Sequence, residues 1–268
     1  MKKYAADIKS IINAHALIKP HIHKTTVMSS TSLNSMSHKT LFFKCECFQK
    51  SGAFKFRGAS NAVFSLDEEQ AGKGVVTHSS GNHAAALSLA AKMRGIPAYV
   101  VLPRNAPRCK VKNVKRYGGN IIFSDSNMLS REEITKKVLR DTGAVLVPSS
   151  NDARIISDSN MLSRDEITKK VLRDTGAVLV PSSNDARIIR PIVRDLVDDI
   201  ITVDDKEIID ALWHCYKILK VAIEPSGAIG LAAVLSEKFK QNPIWKDSNN
   251  IGIVLSGGNV DTDVIWKF

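Results

Sequence analysis

Ser51-Gly52-Ala53-Phe54-Lys55-Phe56-Arg57-Gly58 sets a single lysine between two aromatic residues and flanks the group with glycines. A lysine so enclosed is partly desolvated, which favours the neutral amine, and a neutral amine is a nucleophile. Partial burial between Phe54 and Phe56, with Arg57 beside them, is expected to lower its pKa. Two further clusters follow strand-like apolar runs. Ser79-Ser80-Gly81-Asn82-His83 comes after Gly74-Val75-Val76-Thr77-His78, and Ser256-Gly257-Gly258-Asn259 after Ile251-Gly252-Ile253-Val254-Leu255. In open α/β sheets ligands bind beyond the carboxyl ends of the strands, so these turns and the enclosed lysine point to one small-molecule pocket.

Around these motifs the pattern alternates. Strands are expected at Leu41 to Cys45, Gly74 to Thr77, Ala98 to Leu102, Asn120 to Phe123 and Ala144 to Val147. Helices are expected at Phe54 to Leu66, Asn82 to Arg94, Pro107 to Tyr117 and Ser130 to Asp141. Such alternation argues for an α/β fold of parallel sheets with helices on both faces. Towards the C-terminus the reading adds a strand at Ile200 to Val203, a helix from Asp204 to about Lys220, a helix around Gly227 to Phe239 and a strand at Ile251 to Leu255.

The 268 residues, 44% hydrophobic and 24% charged, describe a globular chain able to bury a full core. No stretch approaches the ~20 apolar residues that span a bilayer, and no apolar leader follows Met1-Lys2-Lys3, so the expected location is cytoplasmic. Cys45, Cys47, Cys109 and Cys215 lack C-x-x-C spacing and read as free thiols, with Cys45 and Cys47 facing the same way on one extended strand. The net charge of +11 is uneven: residues 1–123 hold 19 Lys/Arg against 5 Asp/Glu. Arg104, Arg108, Lys110, Lys112, Lys115 and Arg116 gather around one expected helix. Without aromatic base-stacking or zinc-finger patterns they read as a solvated face rather than a nucleic-acid surface, and no membrane partner is implied.

Ser124 to Ile156 and Ser157 to Ile189 are the same sequence but for Glu132 against Asp165. Two copies are too few for a solenoid, and solenoid signatures are absent. Identical segments seldom pack equally well in two different slots, so the second copy is expected to dock poorly.

Taken in order and spacing, S-x-A-F-K-x-R-G with the two Ser/Gly/Asn turns resembles the serine racemase and serine/threonine dehydratase family, pyridoxal-phosphate enzymes of the tryptophan synthase β fold. The resemblance covers about residues 1–150 and 190–268. It implies a large cofactor domain from residues 1–73 plus 190–268 and a small α/β domain from 74–150, with 151–189 as the second repeat copy. It further implies pyridoxal 5'-phosphate held as an imine by Lys55, with Phe54, Asn82 and Ser256 also at the cofactor. Asn82 would serve the phenolic oxygen and Ser256 the pyridine nitrogen. Lys55 and Ser80 would be the catalytic proton carriers on opposite faces.

Ser79, Ser80, Gly81, Asn82 and His83 would hold a small hydroxy amino acid by its carboxylate, though His83 also reads as a packed histidine at a helix start. Lys50 and Asn259, with Ser30-Thr31-Ser32 as weaker matches, correspond to positions that bind ATP in the family. A homodimer is implied as well. Two departures matter. The family's glycine run for the phosphate has no counterpart, since no glycine lies between Gly176 and Gly227, and the stretch carrying its divalent-metal ligands is absent, so no metal ligands are assigned. Losing the phosphate anchor forfeits hydrogen bonds of ~1.5 to 3 kcal/mol each. The rival reading is therefore an inactive homologue acting as a binding or regulatory partner.

Overall fold

The computed structural model describes residues 7–149, 152–155 and 197–260. In chain order its helices are α1 (Ile8–Ile18), α2 (Thr31–Ser37), α3 (Lys55–Phe64), α4 (Glu68–Lys73), α5 (Asn82–Arg94), α6 (Arg108–Arg116), α7 (Met128–Thr142), α8 (Asp205–His214), α9 (Pro225–Leu235) and α10 (Glu237–Gln241). Its strands are β1 (Val27–Met28), β2 (Thr40–Lys44), β3 (Val75–Thr77), β4 (Ala98–Pro103), β5 (Asn120–Ser124), β6 (Val145–Leu146) and β7 (Asn250–Val254).

The described residues form two compact units, 7–23 with 55–149 and 152–155, and 24–54 with 197–260. The chain passes from the second to the first between Phe54 and Lys55. Residues 55–73 thus pack with 74–149, whereas the sequence reading groups 1–73 with the C-terminal segment.

In the first unit a four-stranded parallel sheet runs in the order β5-β4-β3-β6. Successive residues of a strand face opposite sides. Val75 accordingly packs with Phe56, Ala59, Leu87 and Ala90 of α3 and α5, while its neighbour Val76 packs with Val101 and Val138 of the α7 side. Helices on both faces are what the alternating pattern predicts. The alanines of α5 allow close approach to α3, and α5 ends at Gly95, whose φ of 75° is the left-handed geometry glycine adopts without strain. Gly58 of the opening motif has a steric reason: a Cβ there would sit 3.0 Å from the Ile155 carbonyl oxygen.

The second unit has a three-stranded sheet, β1-β2-β7, in which β1 is antiparallel to β2 and β2 parallel to β7. Leu41, Phe43, Ile251 and Ile253 point into a core with Leu231, Ala232 and Leu255. Gly52 has φ of 76°, and a Cβ there would fall 2.4 Å from Asn259 Oδ1. Both glycines of the opening motif are therefore fixed by close neighbours.

Several expectations are corrected. Ile200 to Val203 has no strand pairing; the segment leads into Asp204, whose side chain accepts the Glu207 N–H at 2.8 Å while Glu207 accepts the Asp204 N–H at 2.8 Å, so a capping box starts α8. The helix expected around Gly227 to Phe239 is broken at extended Ser236, whose hydroxyl caps α10 by accepting from the Phe239 N–H at 3.3 Å. Strand β2 stops at Lys44 and Cys47 lies in the 3-10 turn Glu46–Phe48, so the two thiols do not share an extended strand. Cys45, Cys47 and Cys215 are nonetheless buried and free. The second repeat copy lies outside the described residues. The first supplies the end of β5, α7, β6 and the Ala153 to Ile155 turn.

Candidate active site

Parallel pairing of β3 with β6 brings their carboxyl ends to one edge of the first unit's sheet. From β3 the chain turns through His78 to Gly81 into α5. Gly81 supplies no side chain to cap the helix, and a Cβ built on it meets nothing within 4 Å, so the turn borders open space. The Gly81 amide points at the Ser79 hydroxyl at 3.4 Å, while the first-turn amides of Asn82 and His83 have no acceptor within the helix. A helix start of this kind attracts a carboxylate or phosphate. Ser79, Ser80 and Asn82 are half-buried around it.

Lys55, the first residue of α3, reaches the same edge. Its Nζ donates to the Ser149 carbonyl, just beyond β6, at 2.9 Å. Burial holds its pKa down at about 8, so roughly a tenth of the amine is neutral at pH 7, against well under a hundredth for an ordinary lysine. Arg57 has no part in this. Two positions along a helix turn a side chain about 200° around the axis, and its guanidinium points instead to the His23 carbonyl at 3.4 Å. Phe54 and Phe56 are both buried, Phe56 in the core beneath α3.

His83, the second residue of α5, is 2% exposed, and its Nε2 lies 3.0 Å from the Val147 carbonyl oxygen. Burial, and then the neighbouring Lys55 charge, push its pKa down to about 4. It is the packed histidine that one reading of the sequence expects. Asn82 Oδ1 accepts from Lys110 Nζ at 3.3 Å, which directs the carboxamide nitrogen the other way. Lys110 is thereby distinct from Arg104, Arg108, Lys112, Lys115 and Arg116, which are exposed.

In the second unit, Ser256 follows β7 and its carbonyl accepts from the Phe54 N–H at 3.0 Å. Lys50 and Asn259 come to one turn: Asn259 Nδ2 donates to the Ser51 carbonyl at 2.8 Å, and its backbone N–H to Glu224 at 3.0 Å. Ser30 is a helix cap, accepting from the Leu33 N–H at 3.4 Å. Sequence reasoning misses the Ser149 and Val147 carbonyls, which carry no side-chain signal, and the Lys110 contact, which it reads as solvated surface.

Comparison with known proteins fits this geometry. The profile of the pyridoxal-phosphate dependent enzymes matches residues 18–184, and the chain belongs to that family. Among its relatives, a serine racemase of Arabidopsis thaliana is 51% identical over 319 residues, covering 99% of this chain and 96% of that protein. A β-hydroxyaspartate dehydratase of Paracoccus denitrificans is 35% identical, covering 98% of this chain and all of that one. The structure of maize serine racemase superposes with a TM-score of 0.88 at 49% identity, covering 98% and 97% of the two chains.

The described residues fit the reactive end of such a cofactor. A half-buried amine of depressed pKa stands beside an uncapped helix start and open space. One glycine of each pair packs against the protein: a Cβ on Gly119 would meet Ser88 Oγ at 2.5 Å, and one on Gly258 would meet the Ala222 carbonyl oxygen at 2.7 Å. No group of three or more metal-ligating side chains is found among the described residues, and no helix among them is long and apolar enough to cross a membrane.

Proposed function

We propose that the chain is a pyridoxal-phosphate-dependent serine racemase or L-serine/L-threonine ammonia-lyase acting on a small hydroxy amino acid. The carrying observation is Lys55: a half-buried amine, partly neutral at pH 7, at the carboxyl edge of a parallel sheet beside an open helix start. The cofactor, when bound, supplies the electron sink for the pair left by breaking the substrate's α C–H bond. Lys55 Nζ would hold it and carry the α-proton on one face, and the Ser80 hydroxyl would carry a proton on the other. Two carriers are needed for inversion, since one base returning its own proton preserves configuration.

The amides of the Ser79 to His83 turn would bind the substrate carboxylate. Asn82 would donate its side-chain nitrogen to the cofactor's phenolic oxygen, with Phe54 at the cofactor as well. Ser256 is assigned to the pyridine nitrogen, where a neutral hydroxyl does not force protonation. Lys50 and Asn259 are assigned to a nucleotide.

The match to the Arabidopsis relative runs over 319 residues against 268 here, so at least 51 aligned positions lack a residue in this chain. That supports an internal loss alongside the duplication, and it accords with the missing glycine run. The reading places the chain in the cytoplasm, as a homodimer, with its cysteines reduced. The test is to add pyridoxal phosphate to the purified chain, look for a visible absorbance band and reduce with borohydride. The expected result is a pyridoxyl group fixed on the Lys55 peptide and lost in Lys55→Ala. No band, or fixation elsewhere only, overturns the proposal.

A further inference from the structure

A two-residue edge strand, β6, positions the acceptor for Lys55, and a buried side chain of α5 holds the end of that strand. Val145 and Val147 donate their N–H groups to Gly74 and Val76 at 2.9 Å each, after which the ladder stops. The Val147 carbonyl then meets His83 Nε2 at 3.0 Å, and two residues later the Ser149 carbonyl meets Lys55 Nζ at 2.9 Å. We infer that His83 is a positioning residue for the Lys55 amine: its ring N–H fastens the Val147 carbonyl and so fixes the backbone whose Ser149 carbonyl seats Nζ whenever the amine is not covalently engaged.

The chemistry of the ring requires this polarity. A carbonyl oxygen only accepts, so the nitrogen facing it carries the proton, and Nδ1 is left as the bare acceptor. Nδ1 is buried and has no hydrogen-bond partner among the described residues. A histidine kept only to fill space would be replaceable by an apolar side chain of its size, with relief of that unpaired atom. A donor directed at a carbonyl is not replaceable in that way. The ionisable groups that act on the ring are Lys55, Asp152 and His78. A neutral imidazole adds no second positive charge beside the amine, consistent with the pKa of Lys55 at about 8 and that of His83 at about 4.

The inference rests on Lys55 being the reactive amine, but its test needs no cofactor, so failure of borohydride fixation and failure of this proposal are separate results. In the cofactor-free protein, trace labelling with acetic anhydride across pH 6 to 11 and peptide mass spectrometry give the Lys55 titration midpoint, expected at about 8. His83→Gln keeps a donor able to reach Val147 and should leave the midpoint in place. His83→Leu removes the donor. The amine then turns towards water, and the midpoint should climb by about one pH unit, an approximately tenfold loss of labelling at pH 7.

A folded His83→Leu protein with an unmoved midpoint overturns the proposal, as does a Gln variant that shifts as far as the Leu variant. Should the Leu variant not fold, ¹⁵N chemical shifts of the ring in the unaltered protein decide. The Nε2-protonated tautomer is required, and an Nδ1-protonated ring overturns the inference.

Discussion

Acid should find His83 before it finds most of the sheet. The ring is buried, and its pKa is pushed from the ordinary 6.5 down to about 4, by burial first and by the Lys55 charge second. Below pH 6.5 the unfolded chain therefore binds a proton that the folded chain refuses. The sign follows from that difference: stability is complete above the unfolded value, falls as pH drops below 6.5, and stops falling at about 4, where the folded form also protonates. A gap of roughly 2.5 pH units at 1.36 kcal/mol each gives about 3 kcal/mol lost by pH 4, of which about 2 kcal/mol is gone by pH 5.

Carboxylates also titrate in this range, so the measurement is a difference. Urea unfolding followed by circular dichroism at half-unit steps from pH 8 to 4.5 is run on the protein and on His83→Gln, which donates to Val147 but takes no proton. The stability difference between the two should be flat above pH 6.5 and should then move by about 2 kcal/mol in favour of the variant by pH 5. A difference constant within about 0.5 kcal/mol over the whole range would refute the burial argument.

Three other outcomes are expected. Ser80→Ala should suppress racemisation of L-serine, and elimination from D-serine, whose α-proton lies on the Ser80 face, far more than elimination from L-serine, which needs Lys55 alone; equal loss of all three removes the two-base assignment. Gly52→Ala should cost about 2 to 3 kcal/mol in a denaturation experiment, from left-handed strain and from displacing Asn259, and the added Asn259→Ala change should recover the clash portion in a double-mutant cycle. Gly58→Ala should also destabilise, by about 1 kcal/mol, because the Ile155 backbone opposes the new methyl; a more stable variant would mean that alanine's helical preference outweighs the contact.

The elements that read most clearly from the chain are those whose cause is local. The alternation from Gly74 to Val147 gives β3, β4, β5 and β6 with their intervening helices, because short apolar runs, a proline at the start of α6 and glycine after α5 and α7 act within a few residues. Failures arise where short polar residues decide between local options. Ser236 breaks a long apolar helix by capping the next one, and Ile200 to Val203, which reads as a strand, pairs with none and leads into the expected helix that Asp204 caps. The N-terminal α1 goes unread as well, although Asp7 and Ser10 form its capping box. At the site, Lys55, Asn82 and His83 stand out as residue types in a motif. Their partners do not, because Ser149 and Val147 act through carbonyls that every residue possesses.

Composition and order alone determined that an amine at position 55 would sit among glycines and aromatics, that two polar turns would follow strands, and that one segment is written twice. Those are properties of neighbours along the chain. What only the tertiary structure decided is which way each group faces: Arg57 away from Lys55, Lys110 onto Asn82, His83 onto a carbonyl 64 residues distant. Directions depend on strands pairing across long separations, and in the parallel pairing of β3 with β6 Val75 and Val145 pack on one face of the sheet and Val76 on the other.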